Sequence, residues 1–235
     1  MAKVYLSPSN QTANTYAYGN TTEDVQCGKI ANACKIALER SGVLVMVGQY
    51  DTMENRCKAS DAFGADVHVP IHTNAFDKKV MGTRIFSYDK KGKGWQYANK
   101  VFEVLAPVTP GKSENVKTYP GLYEVKKPKA PTVYIEVEFH DTVDGAKWII
   151  EHAVDIGEAI AKGLCNALGV EFVPVQSPDT GEAMVDRKQY DAMVADLTAQ
   201  LQEQKEKYTE LEACMQAFRT RVLNAVEIFD NGKAC

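Results

Sequence analysis

The sequence predicts an α/β fold, a mostly parallel twisted sheet with helices on both faces, followed by a C-terminal coiled-coil helix. Short apolar and β-branched runs alternate with amphipathic stretches of helical length across residues 1–171, which is typical of parallel sheets covered on two faces. A heptad pattern replaces this alternation farther along the chain. We therefore expect a globular domain at 1–171, a linker at 172–185 and an oligomerisation helix at 186–230.

Apolar periodicity and turn residues predict the elements of the first half in order. The expected strands are 4–6, 43–47, 67–72 and 82–88, and the expected helices are 23–41 and 53–63. Thr22 is a suitable N-cap for the first helix, and Glu23 lies in its positively polarised first turn. Gly42 and Gly64 follow the two helices as C-terminal stops. Because the run at 43–47 is apolar throughout, we expect it to be a buried strand.

The second half is predicted to contain a helix at 94–105, a β-branched strand at 132–138 and a long amphipathic helix at 144–168. A segment rich in Pro, Gly, Ser and Thr follows at 173–183 and indicates a linker. The order of these elements continues the strand and helix alternation of the first half.

Beyond the linker, the spacing of apolar side chains alternates between four and three residues. The positions of this seam are Tyr190, Val194, Leu197, Leu201, Gln204, Tyr208, Leu211, Met215, Phe218, Val222, Ala225 and Phe229. A lone helix would leave such a stripe in water. We therefore expect self-association as a coiled coil, with a helix packed back on its own domain as the alternative.

The charge balance favours neither a nucleic-acid nor a membrane partner. The 235 residues carry a net charge of −4, which gives no general attraction to polyanions. No apolar run approaches the ~20 residues that a membrane-spanning helix needs. Two short basic stretches, at 90–93 and 126–129, are interpreted as solvated loops.

The cysteines and the N-terminal segment favour synthesis in the cytoplasm. The six cysteines form no CxxC pair and no compact disulfide framework, as expected of a reducing compartment. The segment MAKVYLSPSN lacks the charged, apolar and small-residue regions of a signal peptide. If the substrate lies outside the cell, another factor must therefore release the protein.

The sequence HVPIHTNA at 68–75 is the sharpest local feature. Strand alternation places His68, Pro70 and His72 on one face. His72 comes at the carboxyl end of the predicted strand, where open α/β sheets bind ligands. A hydrogen-bonded structural histidine is the alternative interpretation.

Two further features place carboxylates at the ends of predicted elements. Glu136 and Glu138 share one face of the apolar strand in YIEVEFHD, where a carboxylate is costly unless it is paired, protonated or metal-bound. Glu23 begins the first helix after a polar loop. A salt bridge and an ordinary helix-terminal carboxylate are the alternatives. His72, Glu23 and one of these two strand glutamates could converge above the sheet as zinc ligands and general base.

Taken in order, these features resemble the zinc-dependent N-acetylmuramoyl-L-alanine amidases, catalytic type three, of bacterial autolysins and phage endolysins. The resemblance covers residues 4–168. The matching segments are VYLSPSNQ, TEDVQCGKIANACKIALERSGV, RCKASDAFGAD, PIHTNA, MGTRIFSY, APTVYIEVEFHDT and IGEAIAKGL. It implies a zinc exopeptidase-like amidase fold with Zn²⁺ as cofactor. It also implies that Glu23 and His72 bind the metal and that Glu136 is the catalytic glutamate.

One segment departs from the family's pattern. The family's first ligand is a histidine in an Asp-Pro-Gly-His motif, whereas this chain has SPSNQ at 7–11. Asn10 aligns with that ligand and is the expected third metal ligand, with Gln11 beside it, although an amide oxygen binds zinc weakly. The site could be completed by the amide or a water, or by His140 or His68, or it could bind no metal. Loops of this type resemble those of a branch of these amidases from gut bacteria and their phages, which favours retained activity.

The resemblance implies hydrolysis of the amide between N-acetylmuramic acid and L-alanine in peptidoglycan, by a zinc-activated water that Glu136 deprotonates. Asn74, Thr83, Gln11 and His140 are expected to contact substrate. Peptidoglycan and further copies of the chain are the expected partners. A holin-released phage endolysin is the expected setting, with a mother-cell lysis enzyme as the runner-up. The alternatives in function are an inactive, multimerising wall-binding or structural module and, less favoured, a zinc peptidase.

Overall fold

A six-stranded sheet forms the centre of the domain. The computed structural model describes residues 1–175 together with residues 215, 216, 218 and 219. The elements are β1 (Lys3–Pro8), α1 (Glu23–Arg40), β2 (Leu44–Val47), α2 (Met53–Phe63), β3 (Val67–Asn74), β4 (Arg84–Ser87), α3 (Lys93–Leu105), β5 (Lys117–Thr118), α4 (Tyr123–Lys126), β6 (Tyr134–Phe139), α5 (Val143–Glu151) and α6 (Ala153–Leu168). The strands lie in the order β2-β1-β3-β6-β4-β5.

Neighbouring strands are parallel except for β4 and β6, which are antiparallel. This confirms the predicted α/β class with a mostly parallel sheet. β4 runs opposite to β3 because the short loop between them leaves no room for a helical crossover. The carboxyl ends of β1, β3 and β6 therefore meet at one edge of the sheet, where ligand sites of open α/β sheets form.

Different helices cover the two faces of the sheet. On β1, Val4 and Leu6 belong to the main hydrophobic core, which they share with α1, α3 and α6. Tyr5 and Ser7 point to the opposite face, where Tyr5 stacks on His68 and the Ser7 hydroxyl donates to Glu124 of α4. Side-chain alternation along the strands thus separates an apolar face from a second face that carries polar groups.

The expected buried strand at 43–47 is an edge strand instead. β2 pairs with β1 on one side only, and Leu44, Met46 and Val47 are each at least 40% exposed. An apolar run has no period that distinguishes a central strand from an edge strand. The prediction of burial was therefore wrong, although the strand itself was correctly placed.

The predicted long helix at 144–168 is two helices, α5 and α6, that meet at His152. The backbone of His152 has φ −116° and ψ 19°, which interrupts the helix. Because both helices have an apolar face, the apolar periodicity continues across the break and predicted one helix. The sequence also gave no signal for β5 and α4, whose two and four residues are too few to show a period.

The C-terminal segment Gln176–Cys235 forms a separate unit from Met1–Val175. Residues 215, 216, 218 and 219 are helical, and Met215 and Phe218 are exposed. The predicted linker beyond residue 175 and most of the heptad seam lie outside the described residues, so the coiled coil remains a prediction. Within the described part of the chain, no helix is both long and apolar enough to cross a bilayer.

Candidate active site

The fold brings Glu23, His72 and Glu136 together at the carboxyl edge of the sheet. Glu23 is the first residue of α1, and its Oε1 lies 2.9 Å from Nδ1 of His72 on β3. His72 is directly opposite Glu136 in the pairing of β3 with β6, so the two side chains leave the sheet on the same face. Three residues from distant parts of the sequence therefore share one site.

Glu23 is held as a buried carboxylate by several donors. Asn14 Nδ2 donates to Oε2 over 2.6 Å, and the Thr73 backbone N–H donates to Oε1 over 3.4 Å. Burial acts to raise the pKa of Glu23, but the hydrogen bonds from His72 and Asn14 and the charge of His72 outweigh it and lower the pKa. Burial acts to lower the pKa of His72, and the carboxylates of Glu23 and Glu136 outweigh it and raise the pKa. The ring of His72 also stacks on Tyr134 at 4.9 Å between centroids.

Glu136 differs from Glu23 because its buried carboxylate is incompletely hydrogen-bonded. Its Oε2 has no partner among the described residues. Burial raises the pKa of Glu136 to about 7, the nearby His72 acts to lower it, and Glu23 acts to raise it. A buried, unpartnered carboxylate with a pKa near neutrality is a suitable proton acceptor in a site that receives a water or a substrate.

In the loop after β1, the side chain of Gln11 contacts His72, whereas that of Asn10 bonds to the backbone of Asp51. Gln11 Nε2 lies 3.3 Å from Nδ1 of His72, the same ring nitrogen that Glu23 contacts, and Gln11 Oε1 accepts a hydrogen bond from Asn14 Nδ2 over 3.1 Å. The exposed Asn10 amide instead donates to the carbonyl oxygen of Asp51 over 3.1 Å. Asn10 is adjacent to Gln11 in sequence and lines the same cleft as Gln11 and His72, but its amide bonds to Asp51. Gln11 is therefore the amide that contacts His72, and the expected role of Asn10 as a metal ligand stays a prediction.

These donors fit a zinc ion. A carboxylate oxygen of Glu23, Nδ1 of His72 and the amide of Gln11 converge, and imidazole and carboxylate are common zinc ligands. The two amide positions of Gln11 are assigned from hydrogen bonding, so a turned amide would present its oxygen to the same point. The orphaned Oε2 of Glu136 is the group that a water beside the metal would satisfy.

His140 supports the site from behind. Its Nδ1 lies 2.9 Å from the Thr73 hydroxyl, which also contacts the Tyr16 hydroxyl at 2.9 Å, and the rings of Tyr16 and His140 stack at 4.9 Å. Thr73 is adjacent to His72 and donates its backbone N–H to Glu23. His140 is thus buried against Thr73, behind Glu23 and His72, and its expected contact with substrate stays a prediction.

Asn74 and Thr83 differ in their access to the edge of the sheet. Asn74 is partly exposed at the end of β3, and its Oδ1 accepts the Ala75 N–H. Thr83 is fully buried and bonds to Thr109 and to the Val137 carbonyl. Thr83 is therefore a core residue, and its expected substrate contact is corrected. Asn74 keeps an accessible position.

Glu138 holds the loop that precedes β4. Both of its carboxylate oxygens accept the backbone N–H of Gly82, over 2.7 and 2.9 Å. Burial raises the pKa of Glu138 to about 7, and the backbone N–H groups of Phe139 and Gly82 act to lower it. The two carboxylates of β6 thus differ. Glu138 accepts backbone N–H groups, whereas Oε2 of Glu136 has no hydrogen-bond partner among the described residues.

Sequence reasoning missed two amides that organise the loops around Glu23 and Gln11. Asn14 bridges Glu23 and Gln11. Gln49 donates one amide group to the backbone oxygens of both Ser9 and Asp24, over 2.9 and 2.7 Å. The Gln49 contacts span 40 and 25 residues of sequence, so no local pattern could reveal them. The polar composition of the loop after β1 was the only available signal.

A second cluster of ligand-type side chains lies on the same face of β3. Within the described residues, Cys57, His68 and Glu124 place donor atoms within 4.8 Å of one another. However, Glu124 Oε2 accepts from Arg56 Nη2 over 2.9 Å, and Oε1 accepts from the Ser7 hydroxyl over 2.5 Å. Burial raises the pKa of the Cys57 thiol to about 12. We interpret this cluster as a closed ion-pair network, because a metal would have to displace the partners of Glu124.

A cleft of about 360 Å³ joins the two clusters. We call it the catalytic cleft. Its lining includes Gln11, His72, Tyr134, Arg56, Tyr123 and Glu124. The cleft therefore begins at the candidate metal ligands and continues along the face of the sheet to α4. It has the concave form that is typical of ligand-binding sites.

Solved structures with the same fold are amidase domains. The catalytic domain of the N-acetylmuramoyl-L-alanine amidase CwlV from Bacillus (Paenibacillus) polymyxa var. colistinus has a TM-score of 0.65 at 17% identity, over 73% of this chain and 100% of that chain. The N-acetylmuramoyl-L-alanine amidase AmiC2 of Nostoc punctiforme has a TM-score of 0.63 at 18% identity, over 72% and 97%. The catalytic domain of the CD27L endolysin, which targets Clostridia difficile, has a TM-score of 0.62 at 19% identity, over 71% and 98%.

Among curated proteins, an uncharacterized 38.4 kDa protein of Clostridium perfringens is 34% identical over 114 residues, 47% of this chain and 33% of that protein. Another uncharacterized protein, of Clostridium perfringens strain 13, is 31% identical over 46% of this chain and 33% of its own length. The matches thus span about a third of these relatives. The sequence pattern of the N-acetylmuramoyl-L-alanine amidase family matches residues 9–166, and the chain therefore belongs to that family.

Proposed function

We propose that the chain is a zinc-dependent peptidoglycan hydrolase that cleaves the amide between N-acetylmuramic acid and the L-alanine of the stem peptide. The observation that carries this proposal is the buried, unpartnered Oε2 of Glu136 opposite the Glu23–His72 pair. Family membership supports the identity of the bond that is cleaved. The carboxylate, imidazole and amide groups of the site support zinc as the bound metal. Glu23, His72 and Gln11 would hold zinc, which when bound acidifies water and polarises a carbonyl.

The residues of the site then divide the work of hydrolysis. Glu136 Oε2 accepts the proton of the attacking water and returns it to the departing alanine nitrogen. Asn14 and Thr73 fix the carboxylate of Glu23, so that its oxygen is already directed toward His72. Tyr134 packs on the imidazole of His72 and limits its rotation. Burial of this group of side chains strengthens each electrostatic contact.

Product analysis tests the proposal directly. Purified peptidoglycan incubated with the full chain and zinc should release stem peptides with free N-terminal L-alanine, and the glycan should gain no new reducing ends. Mass spectrometry of the products distinguishes this outcome from cleavage within the stem peptide, which would indicate the peptidase alternative. Wall binding with neither product would indicate the inactive module.

We further propose that residues 186–230 form a coiled coil that joins several copies of the chain, with residues 172–185 as linker. The support is the heptad seam of the sequence, and linked copies would raise the effective concentration of the amidase domain at the wall. Analytical ultracentrifugation of the full chain should give an oligomer, and a chain shortened after Pro178 should give a monomer. An equal mass per particle for both would contradict the proposal. A phage endolysin remains the setting that we propose for this activity.

A further inference from the structure

Two basic stretches that lie far apart in the sequence meet at one cleft. We call it the basic cleft. It has a volume of about 400 Å³, and its walls include Lys93 at the start of α3 and Lys126 and Lys129 at the end of α4 and just beyond it. Lys90, Lys91 and Lys127 are adjacent to these residues in sequence and are also exposed. The two stretches are therefore one surface and not two independent solvated loops.

None of the six lysines on this surface forms an ion pair with a carboxylate within residues 1–175, although Asp61 accepts the backbone N–H of Lys129. The lysine ion pairs of that region involve Lys35, Lys58, Lys100, Lys117 and Lys147. Asp89 lines the basic cleft, but its Oδ1 accepts the backbone N–H groups of Lys91 and Gly92. In a chain of net charge −4, six lysines gathered without ion-pair partners repel one another, and a bound anion would relieve that repulsion.

The basic cleft also offers aromatic surface and free backbone donors. Tyr88 is half exposed, Trp95 lines the wall, and the Lys90 ammonium lies 5.8 Å from the centroid of the Trp95 ring. Gly92 caps α3 without a side-chain hydrogen bond, so the first N–H groups of this helix remain available and carry its positive dipole. Cations, aromatic faces and free N–H groups together suit a ligand that alternates anionic groups with sugar or polyol units.

The basic cleft and the catalytic cleft share α4 as a common wall. Tyr123 and Glu124 line the catalytic cleft, whereas Val125 and Lys126 line the basic cleft. Thr132 of the basic cleft is level with His68 in the sheet, four residues from His72, or roughly 13 Å along the strand. A wall polymer held in the basic cleft would therefore keep neighbouring peptidoglycan close to Glu136.

We propose that the basic cleft, formed by Lys93, Lys126, Lys129 and Trp95, binds the phosphodiester chain of an anionic cell-wall polymer. This inference rests on the proposed function, since it assigns the cleft to material beside the substrate. Lysine ammonium groups bind phosphate as point charges, and the test below separates phosphodiesters from stem-peptide carboxylates. A polymer with one negative charge per unit matches lysines spread over two walls.

The test compares two triple variants of the full chain. One carries Lys93→Gln, Lys126→Gln and Lys129→Gln. The control carries Lys29→Gln, Lys79→Gln and Lys162→Gln, which removes the same charge from exposed lysines elsewhere. Binding is measured by co-sedimentation with purified Gram-positive walls, either intact or treated with hydrofluoric acid to remove phosphodiester-linked polymers. Duplex DNA serves as an unrelated phosphodiester.

The wild type and the control should bind intact walls about tenfold more tightly than treated walls, as expected for three surface ion pairs. The cleft variant should bind both kinds of wall alike and weakly, and high salt should abolish the difference for the wild type. Equal binding of intact walls by the cleft variant and the control would overturn the proposal. The proposal would also fail if the cleft variant lost as much binding to treated walls as to intact walls, which would indicate stem-peptide carboxylates. Binding of the wild type to DNA as tightly as to walls would overturn it as well.

A second measurement separates this proposal from that of amidase activity. On a soluble N-acetylmuramoyl-L-alanyl peptide, the cleft variant should match the wild-type rate, because its three lysines lie outside the catalytic cleft. If the wild type fails to cleave this peptide, the proposed function fails, whatever the wall binding. If the cleft variant loses cleavage while the wild type retains it, the basic cleft is not a separate anchoring site.

Discussion

Glu136 lies opposite His72 in the β3–β6 pairing, and its Oε2 is buried with no hydrogen-bond partner within residues 1–175. A buried carboxylate in this state is costly, and the neighbouring residues give it no ion pair. The cost becomes understandable if the group acts as a base toward a water that enters the catalytic cleft.

Replacing Glu136 with Gln removes the proton acceptor while it keeps the shape of the side chain. We expect the rate of stem-peptide release to fall by roughly three decades, the range for loss of a general base. Zinc content should stay unchanged, because Glu23, His72 and Gln11 remain. The matched control is Glu151→Gln on the exposed face of α5, which should keep the wild-type rate. Near-normal lysis by the Glu136 variant would remove Glu136 from the mechanism.

The same substitution should change the pH dependence of stability in the metal-free protein. Burial raises the pKa of Glu136 from 4.5 to about 7, so the folded state binds a proton that the unfolded state has lost. The unfolding free energy should therefore fall as pH rises from about 4.5 to about 7. Glu136→Gln should lose this part of the decline, at most about 3 kcal/mol.

Thermal unfolding with a chelator present, measured from pH 4.5 to 8, gives this difference. Glu138 also has a raised pKa, but it is present in both proteins and cancels in the comparison. The melting temperature of the Gln variant should exceed that of the wild type increasingly toward pH 8. A gap that stays constant with pH would show that Glu136 titrates normally in the folded state.

Gln11 should contribute to metal affinity, and Asn10 should not. Gln11→Ala removes the amide beside His72 and should weaken zinc binding about tenfold or more. Gln11→His should strengthen zinc binding, since imidazole is a better zinc ligand than an amide. Competition with a chromophoric chelator measures both effects without an activity assay.

Asn10→Ala is the matched control, because it deletes a neighbouring amide whose contact is the exposed Asp51 carbonyl. It should bind zinc as the wild type does. If Asn10→Ala weakens the zinc affinity and Gln11→Ala does not, the loop rearranges around the metal and the assignment of Gln11 is wrong.

Much of the fold and of the site could be predicted because both depend on element ends. Glu23 begins a helix, and His72 and Glu136 lie in strands with strong apolar patterns, so the parallel topology brings them to one edge of the sheet. The choice between Asn10 and Gln11 could not be predicted, since the partners of these adjacent loop residues, Asp51 and His72, are set only once the loop is folded. Thr83 similarly follows a strand motif, yet its hydroxyl is used by Thr109 and Val137 inside the core.

The basic cleft shows the same limit at longer range. Its two lysine stretches have no periodicity, and α4, which brings them together, has only four residues. A pattern in the sequence reports local structure, whereas this surface depends on the return of the chain from β5 to β6. Composition alone gave a net negative chain and hid the local concentration of positive charge.

The cluster of Cys57, His68 and Glu124 should bind no zinc in the folded protein. Arg56 and Ser7 already use the carboxylate of Glu124, and the thiol of Cys57 is kept protonated by burial. Cys57→Ala should therefore leave zinc at one ion per chain and preserve amidase activity, with a loss of stability of about 1 kcal/mol.

His72→Ala is the comparison, and it should abolish zinc binding because it deletes the imidazole at the convergence of Glu23 and Gln11. Elemental analysis after dialysis gives the zinc content of both variants. Loss of zinc from Cys57→Ala with retention in His72→Ala would move the metal centre to the second cluster. It would also require Arg56 to leave Glu124, because a cation bound to that carboxylate repels the guanidinium beside it.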